Sequence, residues 1–282
     1  MVVADDRQAD HEAGRVVPGW YRDPWSSSRR PNVRWWNGTG WTTSVAPLDQ
    51  PRDEFAPVPV RTGLLVLATL VVSLIGSRFL IEALVDFDWP IVVFVAIGAL
   101  SGYGPPVIVA LRLVRREGSP RFWFAGRWRV SDLGWGPLTW LACVVGQILA
   151  ALVIEATGIP FTGNIEDLDS GDLPRDYLLS ILVIGVIVAP VVEEVLFRGI
   201  VLRSFLSLGS WWFAVSLQGI FFGLVHADPA RGSGNIGLVI ILTVVGVVLG
   251  GSTWLLRRIW PAMIAHGILN AVALTLALSG WS

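Results

Sequence analysis

Six polar side chains set in otherwise apolar surroundings could carry chemistry. They are Glu193, Glu194 and Arg198 in one hydrophobic run, His226 at the end of the next, and His266 with Asn270 in the last. A carboxylate facing an imidazole suits water activation, because either group can take a proton and each can orient the other. A His–Asn pair offers donors to a developing oxyanion. Together these groups describe hydrolysis of an amide by an activated water. Cys143 lies in a different apolar run and no serine stands beside a histidine in a triad-like pattern, so no side-chain nucleophile is expected. Glu193, His226 and His266 also form a two-His, one-carboxylate set of the kind that holds zinc with an open position. No H-E-x-x-H pair accompanies them. Zinc at those three residues is therefore possible rather than indicated.

Spacing divides the labour among the six. Glu194 and Arg198 are four apart with the acid N-terminal, the favourable order for a helical ion pair. Glu193 is turned by about 100° from Glu194 on a helix of 3.6 residues per turn. Arg198 is therefore expected to neutralise Glu194 and leave Glu193 free to act. His266 and Asn270, again four apart, share a face. The turn between the two middle runs falls near Leu208–Ser210, roughly equidistant from Glu193 and His226, so an antiparallel pair brings those two side chains to one level. Taken singly, the Glu194–Arg198 pair, His226 and Asn270 are each explained as well by packing as by chemistry. Their conjunction in three separate runs is not.

The elements that must position these groups are membrane helices. Of the 282 residues, 53% are hydrophobic and only 15% charged, with mean hydropathy +0.61. A soluble domain carries roughly a quarter charged residues, so this chain lacks the charge to cover a water-facing surface. The expected fold is an all-α polytopic membrane bundle. Seven apolar runs approach the roughly 20 residues a span requires, near 63–83, 89–111, 134–155, 177–203, 208–226, 235–256 and 259–279. Buried charge at the bilayer centre costs roughly 2.5–3.5 kcal/mol per group, which makes two adjacent glutamates an expensive accident. The connection 112–129 is arginine-rich and 155–176 is acidic. By the positive-inside rule the N-terminus is then cytoplasmic. Gly246 and Gly250 have the spacing of a close helix contact, read as packing. The net charge of −1 gives no sign of nucleic-acid binding. No cleavable signal peptide is visible, and the lone Cys143 excludes an intramolecular disulfide.

Ahead of the apolar runs lies a polar N-terminal region. Residues 1–17 are expected to be disordered, 18–47 to form a small Trp-rich hairpin-like module around Asn37-Gly38, and 48–62 to be a linker. The Trp-rich pattern resembles a short domain of unknown function found at the N-termini of bacterial membrane proteins. Its expected role is a cytoplasmic cap or a docking module.

Three ordered motifs carry a second resemblance: Glu193-Glu194-Val195-Leu196-Phe197-Arg198, Phe222-Gly223-Leu224-Val225-His226 and His266-Gly267-Ile268-Leu269-Asn270. They resemble the E-E-x-x-x-R, F-x-x-x-H and H-x-x-x-N/D motifs of the CAAX-processing and bacteriocin-processing (Abi) intramembrane proteases. The resemblance covers roughly residues 175–275 within a membrane domain of 63–282. It implies that Glu193 and His226 activate water, that His266 and Asn270 form the oxyanion site, and that Glu194 and Arg198 support the catalytic glutamate. It also implies peptidase chemistry without an obligatory metal, acting on a membrane-associated peptide or protein substrate, and the Trp-rich module points to a bacterial plasma membrane. Two other classes stay open: a non-catalytic peptide-binding or immunity protein using the same pocket, and a proton-coupled transporter. The transporter would be expected to carry inverted repeats, and none is evident.

Overall fold

The computed structural model describes residues 18–26, 32–47, 55, 57–115, 125–163 and 174–279. The segment 1–17, the first part of the linker, and the centres of the arginine-rich and acidic connections lie outside the described residues. The membrane domain contains α1 (Val60–Leu84), α2 (Ile91–Arg115), α3 (Asp132–Thr157), α4 (Arg175–Leu206), α5 (Trp211–Leu224), α6 (Asn235–Leu256) and α7 (Trp260–Leu278). All of these except α5 are long and apolar enough to cross a membrane. Val72, Leu100 and Leu255 are each at least 70% exposed, which places large apolar side chains where only lipid would accept them.

Helix α5 differs from expectation in length. It has 14 residues, so it extends about 21 Å at 1.5 Å per residue, short of a hydrocarbon core of about 30 Å. It pairs closely with α6 along glycines. A Cβ on Gly246 would stand 2.8 Å from the Gly219 Cα and 3.0 Å from its carbonyl oxygen. Backbone cannot yield as a flexible side chain can, so Gly246→Val is expected to destabilise the protein by about 1–3 kcal/mol. Chemical denaturation in mixed micelles checks this. The expectation of close packing at Gly246 and Gly250 is met, with Gly250 seated against Gln218. Gln218 Nε2 in turn donates to the Gly246 carbonyl at 2.6 Å.

Helix α4 carries two π-helical stretches, Ile184–Val188 and Val195–Val201, flanking the turn that holds Glu193 and Glu194. A π-turn widens the helix and redirects the side chains beyond it. Helix α7 packs into the first stretch: a Cβ on Gly267 would lie 3.2 Å from the Val186 carbonyl oxygen. The neighbouring Asn270 Nδ2 donates to the Gly185 carbonyl at 2.7 Å.

Helices α1 and α2 form a hairpin in which one polar contact answers a proline. Pro105 and Pro106 lie inside α2 and lack the N–H groups that would bond Ser101 and Gly102. The Gly102 carbonyl instead accepts from Ser73 Oγ of α1 at 2.6 Å, and Ser77 Oγ donates to Gly98 at 3.1 Å. Serine rescue of freed carbonyls is how membrane helices tolerate proline. At one end of the bundle, Asp132 of α3 is fully buried and pairs with Arg258 at 2.6 Å in the turn between α6 and α7.

The Trp-rich module is an antiparallel sheet of β1 (Gly19–Arg22), β2 (Asn32–Trp36) and β3 (Trp41–Pro47), in the order β1-β2-β3. Trp20 packs edge-on to Trp35, and Trp36 to Trp41, with centroids 5.7 and 5.3 Å apart. Arg34 bonds Asp23, and that hydrogen bond holds the Asp23 carboxyl below the ordinary carboxylate range. The end of the linker is anchored: Phe55 and Val58 are buried, and Val58 N–H donates to the Arg203 carbonyl. The Arg257 guanidinium lies 4.6 Å from the Phe55 ring centre and that of Arg203 lies 5.8 Å away. Cation–π attraction thus ties the chain before α1 to the ends of α4 and α6.

Candidate active site

Glu193 and Glu194 are both buried, yet their surroundings differ. Glu194 is fully enclosed, and its Oε1 accepts from Arg198 Nη1 at 2.8 Å, on the same helical face. The same oxygen lies 2.9 Å from His266 Nδ1. Arg198 also reaches the Gly246 carbonyl at 3.3 Å, and its guanidinium lies 4.4 Å from the Phe222 ring centre. Three further helices supply partners to this fully buried pair, although Glu194 Oε2 and Arg198 Nε find none among the described residues.

Glu193 faces a different set of groups. Its Oε1 accepts from the Tyr103 hydroxyl of α2 at 2.6 Å. Its Oε2 stands 3.7 Å from His226 Nε2 and 3.9 Å from His266 Nε2. Buried Oε2 accepts no hydrogen bond from the described residues. This edge of the site is therefore one carboxylate oxygen opposed by two imidazole nitrogens.

Each imidazole is fixed through its other nitrogen. His226 Nδ1 is 2.7 Å from the Phe222 carbonyl, which only accepts, so Nδ1 donates there and Nε2 is the nitrogen turned toward Glu193. That carbonyl belongs to the last turn of α5, where helix carbonyls lack intrahelical partners. His226 itself lies just beyond the helix, so the end of α5 is what aims it. His266 Nδ1 likewise donates to the ionised Glu194. Phe222, one turn before His226, underlies all of this, with ring centres 4.8 Å from His226 and 5.7 Å from His266. A phenylalanine four residues ahead of the histidine thus supplies both a floor for Arg198 and the carbonyl that orients the ring.

Of the six residues singled out from sequence, five converge: Glu193, Glu194, Arg198, His226 and His266. Asn270 lies on the same helix as His266, but its amide donates to Gly185. Tyr103 is the residue that sequence reasoning missed. Arg78 of α1 forms an ion pair with Asp228, two residues after His226, and with Glu82 at 3.2 Å. Asp228 is further held by Asn235, whose Oδ1 accepts from its N–H at 2.8 Å. The Tyr103 and Arg78 contacts come from the α1–α2 hairpin, which therefore braces the site from two sides.

The donor set of Glu193, His226 and His266 is chemically suited to zinc. Ligand nitrogens lie about 2.0–2.1 Å from zinc, so tetrahedral partners stand roughly 3.4 Å apart, and 3.7 and 3.9 Å are wider than that. Among the described residues no group of three or more His, Cys, Asp or Glu side chains is arranged to hold a metal ion. The set in this geometry fits a metal poorly.

Residues 175–272 match the family described as type II CAAX prenyl endopeptidase Rce1-like. Residues 18–54 match a family described as a protein of unknown function, DUF2510. Over 97 residues the chain is 26% identical to "Putative membrane peptidase YdiL" of Bacillus subtilis (strain 168), covering 34% of this chain and 37% of that protein. The match thus spans little more than a third of the relative's length. No solved structure matches the chain. These likenesses support a membrane protease: the region that holds both glutamates, both site histidines and Asn270 is similar to the type II CAAX prenyl endopeptidases, and the strand module to a family without a known function.

Proposed function

We propose that this protein is an intramembrane endopeptidase that hydrolyses a peptide bond of a membrane-associated peptide or protein, with water activated by Glu193 and His226. The observation that carries the reading is Glu193 Oε2, buried and opposed by two imidazole Nε2 atoms. The water oxygen attacks the scissile carbonyl carbon and one water proton passes to Glu193 Oε2. The carbonyl oxygen becomes an oxyanion. As it collapses, the C–N bond breaks and the leaving amine nitrogen takes the proton back from Glu193. His226, aimed by the Phe222 carbonyl, accepts a hydrogen bond from the attacking water and fixes its direction. His266 and Asn270 stabilise the oxyanion. With Nδ1 committed to Glu194, His266 donates from Nε2 as the imidazolium, and Asn270 uses the amide proton not held by Gly185.

Glu194 and Arg198 hold the helix and His266 rather than reacting. No metal takes part in this reading. Zinc held by Glu193, His226 and His266 is the second reading, which the types of donor permit although their separations of 3.7 and 3.9 Å are wider than zinc ligands take. The N-terminus and the Trp-rich module lie on the cytoplasmic side of a bacterial plasma membrane.

The test uses the full chain reconstituted in phosphatidylethanolamine/phosphatidylglycerol vesicles with a pooled library of quenched, lipid-anchored peptides. Wild type should cleave members of the pool, and extraction with a strong chelator should leave the rate unchanged. His226→Gln should lower the rate by about 10²-fold, the size of effect that misplacing a reacting group produces. Loss of cleavage on chelation with recovery on zinc addition would favour the metal reading. Binding of a peptide without cleavage, unchanged by Glu193→Gln, would favour the binding or immunity class.

A further inference from the structure

Tyr103 lies on α2, outside the 175–272 stretch that is similar to known peptidases, and no motif in the sequence marks it. We propose that Tyr103 is a positioning residue for the hydrolytic carboxylate: its hydroxyl donates to Glu193 Oε1 and so reserves Oε2 for the proton of the attacking water. The inference rests on the reading of Glu193 as the water-activating base.

The chemistry follows from the donor inventory. An ionised carboxylate only accepts, so in the 2.6 Å contact the tyrosine hydroxyl must donate. Carboxylate torsions are broad and two-fold, which makes the two oxygens of an isolated glutamate interchangeable. A short hydrogen bond to an ionised acceptor is among the strong ones, and one such bond to Oε1 breaks that equivalence. Oε2 is then the oxygen facing His226 and His266, at 3.7 and 3.9 Å. Without the tyrosine, the side chain could turn its proton acceptor away from the two rings.

The hydroxyl can do this only if α2 is itself held in place, and its local structure provides for that. The residue before Tyr103, Gly102, presents a carbonyl that Pro106 cannot bond, and Ser73 of α1 donates to it at 2.6 Å. A Cβ on Gly102 would stand 3.4 Å from Leu74, so the backbone there lies close against α1. The tyrosine ring packs against the bundle's buried core. The proline pair, the serine and the tyrosine thus form one chain of contacts from α1 to Oε1.

The experiment compares wild type, Glu193→Gln and Tyr103→Phe as full chains in the same vesicles and peptide library. A fourth protein carries a fluorotyrosine, with a more acidic hydroxyl, at position 103. A hydrogen bond to a charged group contributes about 1.5–3 kcal/mol, so Tyr103→Phe should lower kcat by about 10- to 100-fold. KM should stay within about twofold, as expected when ground-state binding is untouched. The fluorotyrosine should change kcat again without moving KM, an effect that a purely structural tie between helices would not produce. Isotope-edited infrared difference spectra between wild type and Glu193→Gln isolate the Glu193 carboxylate stretch, and Tyr103→Phe should displace that band. A wild-type kcat in Tyr103→Phe, a joint collapse of kcat and thermal stability, or an unmoved carboxylate band would each overturn the proposal. Where wild type cleaves no member of the pool, the carboxylate band alone decides. Hydrolysis surviving in Glu193→Gln would instead overturn the reading of Glu193 itself, which separates the two failures.

Discussion

Glu193→Gln is expected to abolish peptide hydrolysis, lowering the rate by about 10²–10⁴-fold or more, while the protein remains folded. The substitution is nearly isosteric. The amide oxygen can still accept from Tyr103, and the amide nitrogen takes the place of Oε2 before the two rings, so the shape of the site survives. What disappears is a group able to take a proton from water, and loss of a general base costs rates of this size. Folding should not suffer, because Arg198 pairs with Glu194 and the change leaves that buried pair intact. Rates on the lipid-anchored peptide pool, together with thermal unfolding of the two proteins in the same detergent, check both halves. A variant that unfolds more readily than wild type would show that Glu193 is structural.

Arg198→Met is expected to produce the largest loss of stability among single substitutions around the site, about 3–5 kcal/mol, the range for leaving one partner of a buried ion pair uncompensated. Glu194 would remain fully enclosed with His266 Nδ1 still at 2.9 Å, and the guanidinium that stacks on Phe222 would be gone. Adding Glu194→Gln to Arg198→Met should recover part of the loss, since an amide does not need the countercharge. The double-mutant cycle then yields a coupling energy larger than the few tenths of a kcal/mol found for independent sites. Denaturant titration in mixed micelles measures all four proteins. An Arg198→Met protein as stable as wild type would contradict the account of this pair.

Most of the bundle was legible because membrane helices are written locally. Apolar run length located the spans, and the i,i+4 spacing of Glu194 and Arg198 gave their contact directly. Distance from the turn near Leu208–Ser210 placed Glu193 level with His226. The limits appear where a contact joins elements with no such relation. Tyr103 is one aromatic residue in an apolar run, and nothing local ties α2 to the helix carrying Glu193. The partner of Asn270 is a carbonyl in the π-helical stretch 184–188, and a run of Ile, Gly and Val reads as ordinary helix. Helix α5 was expected to reach 226 yet ends at Leu224, with His226 turned back onto the Phe222 carbonyl. Phe55, read as linker, is buried between two arginines that lie about 150 and 200 positions later in the chain.

The central claim is tested most directly in cells, by comparing the termini of membrane proteins by mass spectrometry at matched abundance of wild type and Glu193→Gln. The account predicts new termini that appear with wild type alone and cluster near membrane segments, which would also name a substrate and a cleavage site. Identical termini in both strains across several growth conditions would contradict it and turn attention to a protein that binds peptides in this pocket without cutting them.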